Sequence, residues 1–259
     1  MDTDLDGRTA LVTGAGRGNG KATAKLLTEN GASVVVNDLD EAPAESVVEE
    51  IEAAGGDAVA VAADVSDRAE VEAMFDVAEE KFGTVDALVN NAGFGKGDRF
   101  VNEPANDLWR ETLETHLFGT INCTRRALSA MRKQGYGKVV NVTSIHTKNG
   151  VGMSPQYDVA KFAVKGLTKS LALELGREGI RVNAVAPGWV DTRLTEGFDD
   201  RTREKIVDLN PLGRFAEPEE IAQTIAFLCS PASDYVNGHE LRVDGGQVPI
   251  DNWTHRYEE

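Results

Sequence analysis

The sequence predicts a single doubly wound α/β domain, built on a parallel sheet of about seven strands with helices on both faces. Three observations carry this. Short β-branched runs alternate with helical patterns along the whole chain. The runs are continuously apolar rather than alternating, as in strands covered on both faces. The 259 residues contain no internal repeat and no low-complexity linker, so one wide sheet over residues 1–259 accounts for them.

Each element has a local reason. Thr9 to Thr13 (TALVT) is an apolar strand that runs into a glycine-rich turn. Lys21 to Asn30 has helical spacing, and Gly31 supplies its stop. Ser33 to Val36 (SVVV) is the second strand, and Glu41 to Ala54 a helix ended by Gly55-Gly56. Ala58 to Ala62, a helix over Arg68 to Phe82, and the strand Ala87 to Asn90 follow. Asp107 to Gln134 reads as one long helix, Lys138 to Thr143 as the fifth strand and Tyr157 to Glu174 as a second long helix. Arg181 to Val185, a helix over Pro218 to Leu228 and a last strand at Glu240 to Val243 complete the pattern. Residues 192–215 break the rhythm; they are polar with a Pro-Leu-Gly stop, and we expect a substrate lid there. Residues 247–259, with Trp253 and Tyr257, form a C-terminal extension expected to pack on a neighbouring surface.

Composition excludes several roles. With 43 acidic against 27 basic residues, the chain carries a formal charge of −16, spread along its length as an acidic surface. That disfavours nucleic acid and anionic membranes, which need basic patches. No run approaches the length of a membrane span, and Met1 to Arg8 is too polar for a signal peptide. Cys123 and Cys229 sit in apolar helical patterns, without the spacing of a metal site. Free thiols fit a reducing cytoplasm.

The chemistry concentrates at predicted strand ends, where doubly wound sheets bind ligands. Thr13 to Gly20 (TGAGRGNG) joins a strand to a helix. Glycines at Gly14, Gly18 and Gly20 let backbone approach a pyrophosphate, and the helix start offers free N–H groups. Asp38, about 20 residues beyond the turn, can accept hydrogen bonds from ribose hydroxyls and repel a 2′-phosphate. Together they predict a Rossmann-type site for NAD, with Leu39 beside the ribose. Arg17 is the contrary signal, because a base near the turn suits NADP. Tyr157 and Lys161 stand four apart on one helix face. An ammonium there favours the phenolate and is expected to lower the tyrosine pKa. Ser144, just past the fifth strand, can hydrogen-bond a substrate oxygen.

At these residues the chain resembles the short-chain dehydrogenase/reductase family over about Asp6 to Gly246. The likeness rests on TGAGRGNG, Asp64-Val65, NNAG (Asn90 to Gly93), Ser144, YDVAK (Tyr157 to Lys161), PGWVDT (Pro187 to Thr192) and VDGG (Val243 to Gly246). It implies hydride transfer between NAD(H) and a secondary alcohol or ketone, with Tyr157 as acid/base. Asp64 and Val65 would hold the adenine, and Asn91, Ala92 and Gly93 the adenosine ribose. Lys161 would bind the nicotinamide ribose, and Val190 and Thr192 the carboxamide. The family also implies a homotetramer paired through long helices and the last strand.

Two positions depart from the family. Asn19 stands where isoleucine is usual, so its amide is expected to face the cofactor or the lid. His116 stands where asparagine is usual; that asparagine binds through its backbone carbonyl a water linking the lysine to solvent, so a histidine can keep the relay. His116 and the VVVNDL strand (Val34 to Leu39) also resemble the dehydrogenase part of peroxisomal multifunctional β-oxidation enzymes, which act on 3-hydroxyacyl thioesters. His146, two residues past Ser144, is a candidate substrate contact, and Phe94, Trp189 and Phe198 are candidate pocket walls. His239 and His255 have no evident partner. Two rival readings stand: an NADPH-dependent 3-oxoacyl thioester reductase, and a non-catalytic nucleotide-binding sensor.

Overall fold

The computed structural model describes residues 3–102, 106–150 and 154–247. In chain order the elements are β1 (Thr9–Val12), α1 (Gly18–Glu29), β2 (Ser33–Asp38), α2 (Glu41–Ala53), β3 (Ala58–Ala62), α3 (Arg68–Phe82) and β4 (Ala87–Asn90). There follow α4 (Asp107–Leu113), a π-helical turn (Glu114–Phe118), α5 (Gly119–Gln134), β5 (Gly137–Val142), α6 (His146–Asn149) and α7 (Pro155–Leu175). The chain continues through β6 (Ile180–Pro187), α8 (Arg193–Glu196), α9 (Asp200–Asp208), α10 (Pro218–Cys229) and β7 (Glu240–Val243). The seven strands form one sheet in the order β3-β2-β1-β4-β5-β6-β7, and every neighbouring pair is parallel. Strand order reverses between β1 and β4, which opens a crevice beyond their carboxyl ends.

Why the strands read as continuous apolar runs is visible in the core. Ala10, Val12, Val34 and Val36 face a cluster with Leu27, Val47, Ile51, Ile221 and Ile225. Leu11, Val35, Leu88 and Val139 point the other way, against Met74, Phe75, Cys123, Met131 and Leu175. Each fully buried Leu, Ile or Phe contributes about 1.5–3 kcal/mol, so both faces reward apolar side chains. Cys123 and Cys229 are buried free thiols. Among the described residues no helix is long and apolar enough to cross a membrane.

Some boundaries differ from the sequence reading. Helix α1 starts at Gly18, three residues early, because the last glycines of the turn already wind into it. The expected single helix over Asp107 to Gln134 is interrupted by the π-helical turn at Glu114–Phe118. Side-chain periodicity cannot reveal one extra residue in a helical turn. The polar segment 192–215 contains two helices, α8 and α9, stabilised by a Thr192/Thr195 capping box and by the Asp199 N-cap. Residues 248–259 of the expected C-terminal extension, with Trp253, His255 and Tyr257, lie outside the described residues.

A buried polar ladder ties the sheet to its helices. Asn90 on β4 donates through Nδ2 to Thr124 Oγ1 on α5 (3.0 Å) and to Asn141 Oδ1 on β5 (2.8 Å). Asn141 in turn donates to Thr168 Oγ1 on α7 at 2.9 Å. Removing the middle member strands the groups on either side, which costs about 1–3 kcal/mol each when buried. Asn141→Ala is therefore expected to lower stability by about 2–5 kcal/mol. In a thermal scan that is a fall of roughly 5–15 °C in Tm; a change under about 2 °C would show that the ladder bears no weight.

Candidate active site

The turn after β1 is shaped for close backbone approach. Gly14 has φ of +61°, and a Cβ there would lie 2.8 Å from Ala92 Cα. A Cβ on Gly20 would lie 2.2 Å from the Gly14 carbonyl oxygen. No acidic side chain occupies the first turn of α1, so the positive end of its dipole faces the crevice uncompensated. Asn91 braces this turn, donating to the carbonyls of Thr13 (2.9 Å) and Gly14 (3.0 Å), while the Asn91 and Ala92 N–H groups donate to Thr13 Oγ1. The residues that the family likeness gives to the ribose thus also hold the phosphate turn. Asn19 Oδ1 is buried here without a hydrogen-bond partner.

Asp38 closes β2, buried, and its carboxylate accepts the Gly16 N–H at 2.9 Å. Leu39 beside it is largely exposed. Arg17 pairs with Asp40 at 3.1 Å; the pair is exposed and contributes under about 1 kcal/mol, so it leaves Arg17 free to move. Asp64 caps the turn before α3 through Ser66, and Val65 packs where a Cβ on Gly119 would sit. Val190 bridges to Ala216, and the Thr192 methyl lies 3.4 Å from where a Cβ on Gly18 would stand. Leu194 of α8 similarly covers Gly95. Segment 192–215 therefore lies against the glycine-rich turn and the loop after β4.

The structure brings Ser144, Tyr157, Lys161, His116 and His146 together. Ser144 lies beside the Tyr157 hydroxyl, where its own hydroxyl favours the ionised phenol. Ser144 Oγ also accepts the His146 N–H at 3.2 Å. Behind this turn Thr143 and Thr147 donate to Glu240 Oε1 at 2.8 and 2.9 Å, and Lys165 pairs with Glu240 Oε2 at 2.6 Å. Sequence reasoning missed Glu240 and Lys165, since nothing along the chain connects β7 with the end of β5. Lys161 is buried one turn beyond Tyr157, with Nζ 5.5 Å from the tyrosine ring centroid and 2.8 Å from the Val142 carbonyl it donates to.

Electrostatics correct one expectation. Lys161 was expected to lower the Tyr157 pKa; instead burial pushes the phenol up to about 12, against the Ser144 hydrogen bond and with a further rise from Asp158. Burial also brings Lys161 down to about 8. Desolvation of both groups outweighs their attraction, and the ammonium is directed at the Val142 carbonyl. Tyr157 therefore holds its proton throughout the neutral range.

His116 lies in the π-helical turn, buried, with Nε2 3.1 Å from the Phe94 carbonyl oxygen and 3.3 Å from the Phe94 nitrogen. Burial, reinforced by Lys161, holds its pKa well below the ordinary value, so the ring is neutral. It packs so closely on Gly93 that a Cβ there would lie 2.3 Å from Cε1. Its carbonyl accepts Thr120 Oγ1 at 2.8 Å. The ring meets Tyr157 edge-on at 5.2 Å, and His146 meets Tyr157 from another side, also at 5.2 Å. Trp189 lies 6.4 Å from His146 and 5.5 Å from Phe198, and Phe94 5.2 Å from His116. The sequence reading also missed Asp158, whose Oδ1 is 2.6 Å from His146 Nδ1.

Two variants test this geometry. Lys161→Met removes a buried ammonium. The folded pKa of about 8 lies below the ordinary 10.5, so the charged form costs roughly 3 kcal/mol at neutral pH. Wild-type stability should rise between those two values as the native lysine loses its proton first. The variant is expected to melt higher by a few degrees near about pH 6.5, with its advantage shrinking by about pH 9.5, while turnover is lost. A constant Tm difference across that range would contradict the assignment. His116→Asn keeps the backbone carbonyl and should retain turnover within about tenfold, with a lower Tm from the lost Phe94 contact; a loss of a hundredfold or more with the fold intact would give the imidazole itself a role.

Comparison with known proteins agrees with this geometry. The family model described as enoyl-(acyl carrier protein) reductase matches residues 14–247. The chain is 43% identical over 243 residues to cis-4-hydroxycyclohexanecarboxylate dehydrogenase of Sinomonas cyclohexanicum, covering 94% of this chain and 97% of that one. It is 41% identical over 248 residues to a 3-oxoacyl-(acyl-carrier-protein) reductase of Synechocystis sp., covering 95% and 99%. Among solved structures, 7α-hydroxysteroid dehydrogenase with NADH and 7-oxo glycochenodeoxycholic acid superposes with a TM-score of 0.92 at 37% identity, covering 95% and 96%. Gluconate 5-dehydrogenase of Burkholderia cenocepacia with NADP and tartrate gives 0.90 at 35% identity, with the same coverage. A glycine-rich turn at the strand-order reversal, a serine and tyrosine joined over a buried lysine, and these relatives along nearly the whole chain place it in one family: the protein belongs to the short-chain dehydrogenase/reductases and is an oxidoreductase of that family.

Proposed function

We propose that the protein transfers hydride between NAD(H) and a secondary alcohol or its ketone, with Tyr157 as the acid/base. The observation that carries this is Ser144 beside the Tyr157 hydroxyl with Lys161 buried one turn behind it, Nζ 5.5 Å from the tyrosine ring centroid. The turn fits a dinucleotide: a Cβ at Gly14 or Gly20 would fill the space that backbone needs to approach it. Bound nicotinamide supplies the hydride donor or acceptor. The chain's own residues do the rest. Ser144 holds the substrate oxygen, and Tyr157 Oη gives that oxygen a proton in reduction or takes it in oxidation. Lys161 holds the ribose and the proton path behind the phenol. Segment 192–215 acts as the lid over this site, and His116 supports the site through its carbonyl and through Phe94.

The preference for NAD is supported by Asp38. A buried carboxylate that already accepts the Gly16 N–H meets a ribose hydroxyl as a donor and a 2′-phosphate as a like charge. The relative named as a 3-oxoacyl-(acyl-carrier-protein) reductase keeps the rival reading, an NADPH-dependent reductase of acyl thioesters. Asp38 and the −16 charge weigh against it, since docking an acidic carrier protein requires a basic patch. The substrate is a small molecule, and association into a homotetramer is supported by Val159, Phe162 and Leu173, exposed apolar side chains on the outer face of α7.

A panel of secondary alcohols, assayed with NAD and NADP in parallel by absorbance of the reduced cofactor, tests the reading. The expected result is at least about tenfold higher kcat/KM with NAD, a ratio that narrows in Asp38→Ser. Tyr157→Phe should retain cofactor binding and lose at least about a hundredfold in kcat. A clear NADP preference would overturn the use made of Asp38, and an unimpaired Tyr157→Phe would overturn the chemistry.

A further inference from the structure

We infer that His146, fixed by Asp158, reads a second hydroxyl group of the substrate, so that the preferred substrates are vicinal diols or polyols oxidised to α-hydroxyketones. This rests on the reading of Tyr157 as the acid/base.

His146 Nδ1 is 2.6 Å from Asp158 Oδ1, with both side chains largely buried. An ionised carboxylate only accepts, so the proton between them resides on Nδ1. In the tautomer with the proton on Nδ1, the Nε2 lone pair is the ring's acceptor and points away from the carboxylate. Nε2 makes no hydrogen bond to any described residue, and it is not among the side-chain atoms sealed from solvent. A histidine needed only for packing gains nothing from a carboxylate that sets its tautomer. Here the tautomer is set and the acceptor face is left for a visitor.

The position of that face selects the visitor. The His146 ring lies 5.2 Å from the Tyr157 ring at 76°, and its own backbone N–H holds the Ser144 hydroxyl. Nε2 therefore belongs to the same small space as the reacting oxygen. Trp189, 6.4 Å away and stacked edge-on with Phe198, supplies an apolar wall. An acceptor beside the carbinol favours a neighbouring O–H. It opposes the carbonyl of a 3-oxoacyl thioester or a free carboxylate, each of which also brings a lone pair. A site built to bond a hydroxyl rejects the analogue that lacks it more strongly than apolar contact could, because its own acceptor is then left unpaired.

The test pairs mono-alcohols with their diols: cyclohexanol with 1,2-cyclohexanediol, and 2-butanol with 2,3-butanediol. kcat and KM are measured for wild type, His146→Leu, His146→Gln and Asp158→Asn, with Tm as the check on folding. Wild type is expected to favour the diol by at least about tenfold in kcat/KM. In His146→Leu the loss on the diol should exceed that on the mono-alcohol by about tenfold, chiefly through KM. His146→Gln, whose amide oxygen can still accept, should recover part of the preference, and Asp158→Asn should reduce it. Equal use of both members of a pair by the wild type would overturn this inference alone, as would His146→Leu losing both members equally. A wild type that oxidises neither member of either pair with either cofactor would overturn the dehydrogenase reading and this inference with it.

Discussion

The placement of the catalytic helix depends on the buried ladder from Asn90 through Asn141 to Thr168. Apolar packing fixes how far α7 stands from the sheet, yet it tolerates sliding and rotation. A hydrogen bond does not, because its geometry fails within a few tenths of an ångström. Asn141 is on β5 and Thr168 on α7, so their bond sets the rotation of the helix above the strand. Lys161, seven residues before Thr168, then reaches the carbonyl of Val142, the residue after Asn141. Tyr157, one turn earlier, meets Ser144 just past the same strand. Four groups on two elements are thus registered by bonds made inside the core. The ladder's cost is one orphan, Asn90 Oδ1, buried without a partner.

A second device holds the serine side. Glu240 on β7 gathers Thr143, Thr147 and Lys165, so the turn carrying Ser144 is clamped from the sheet edge while α7 is clamped from its centre. Preorganised donors need such support, since a misplacement of about 1 Å can cost a hundredfold in rate. The π-helical turn at Glu114–Phe118 serves the third side. It places the His116 ring under Gly93 and Phe94, while its carbonyl accepts the Thr120 hydroxyl. Such turns inside helices recur at functional sites because they re-aim a few groups without ending the helix.

How much of this could be read beforehand follows from the range of each interaction. The strand Ala87–Asn90 was legible to the residue because burial on both faces writes a short-range pattern, and the half-buried edge strand Ala58–Ala62 because its Ala/Val run is bounded by glycines and an aspartate. The site's outline was legible because its parts sit at strand ends: the glycine turn, Asp38, Ser144, and Tyr157 with Lys161. What failed was long-range or energetic. Nothing local ties Glu240 to Ser144, or Asp158 to His146 across the turn. The interruption at Glu114–Phe118 leaves the apolar spacing of its helix nearly unchanged. The shift of Tyr157 was misjudged because a neighbouring charge is visible in a sequence and burial is not.

That misjudgement sharpens the chemistry. Tyr157 moved up to about 12 and Lys161 down to about 8 leave a range in which both are neutral, and below it the phenol still holds its proton. His116 is driven toward neutrality as well. Desolvation therefore disfavours the charged form of all three groups, so that near neutral pH Tyr157 and His116 are uncharged while Lys161 keeps its proton at a cost. In such surroundings a hydrogen bond acts across little screening, so in the proposed reaction Ser144 and Tyr157 would polarise a substrate carbonyl more effectively than the same groups would in water. Under the proposed reading the protonated Tyr157 is set to give a proton to an oxygen, and taking one requires added positive charge next to the phenol. Asp158 would work against that gain, since its charge raises the Tyr157 pKa. Asp158 is also paired with His146 at 2.6 Å, so the carboxylate that opposes ionisation of Tyr157 is the one that orients the second ring beside it.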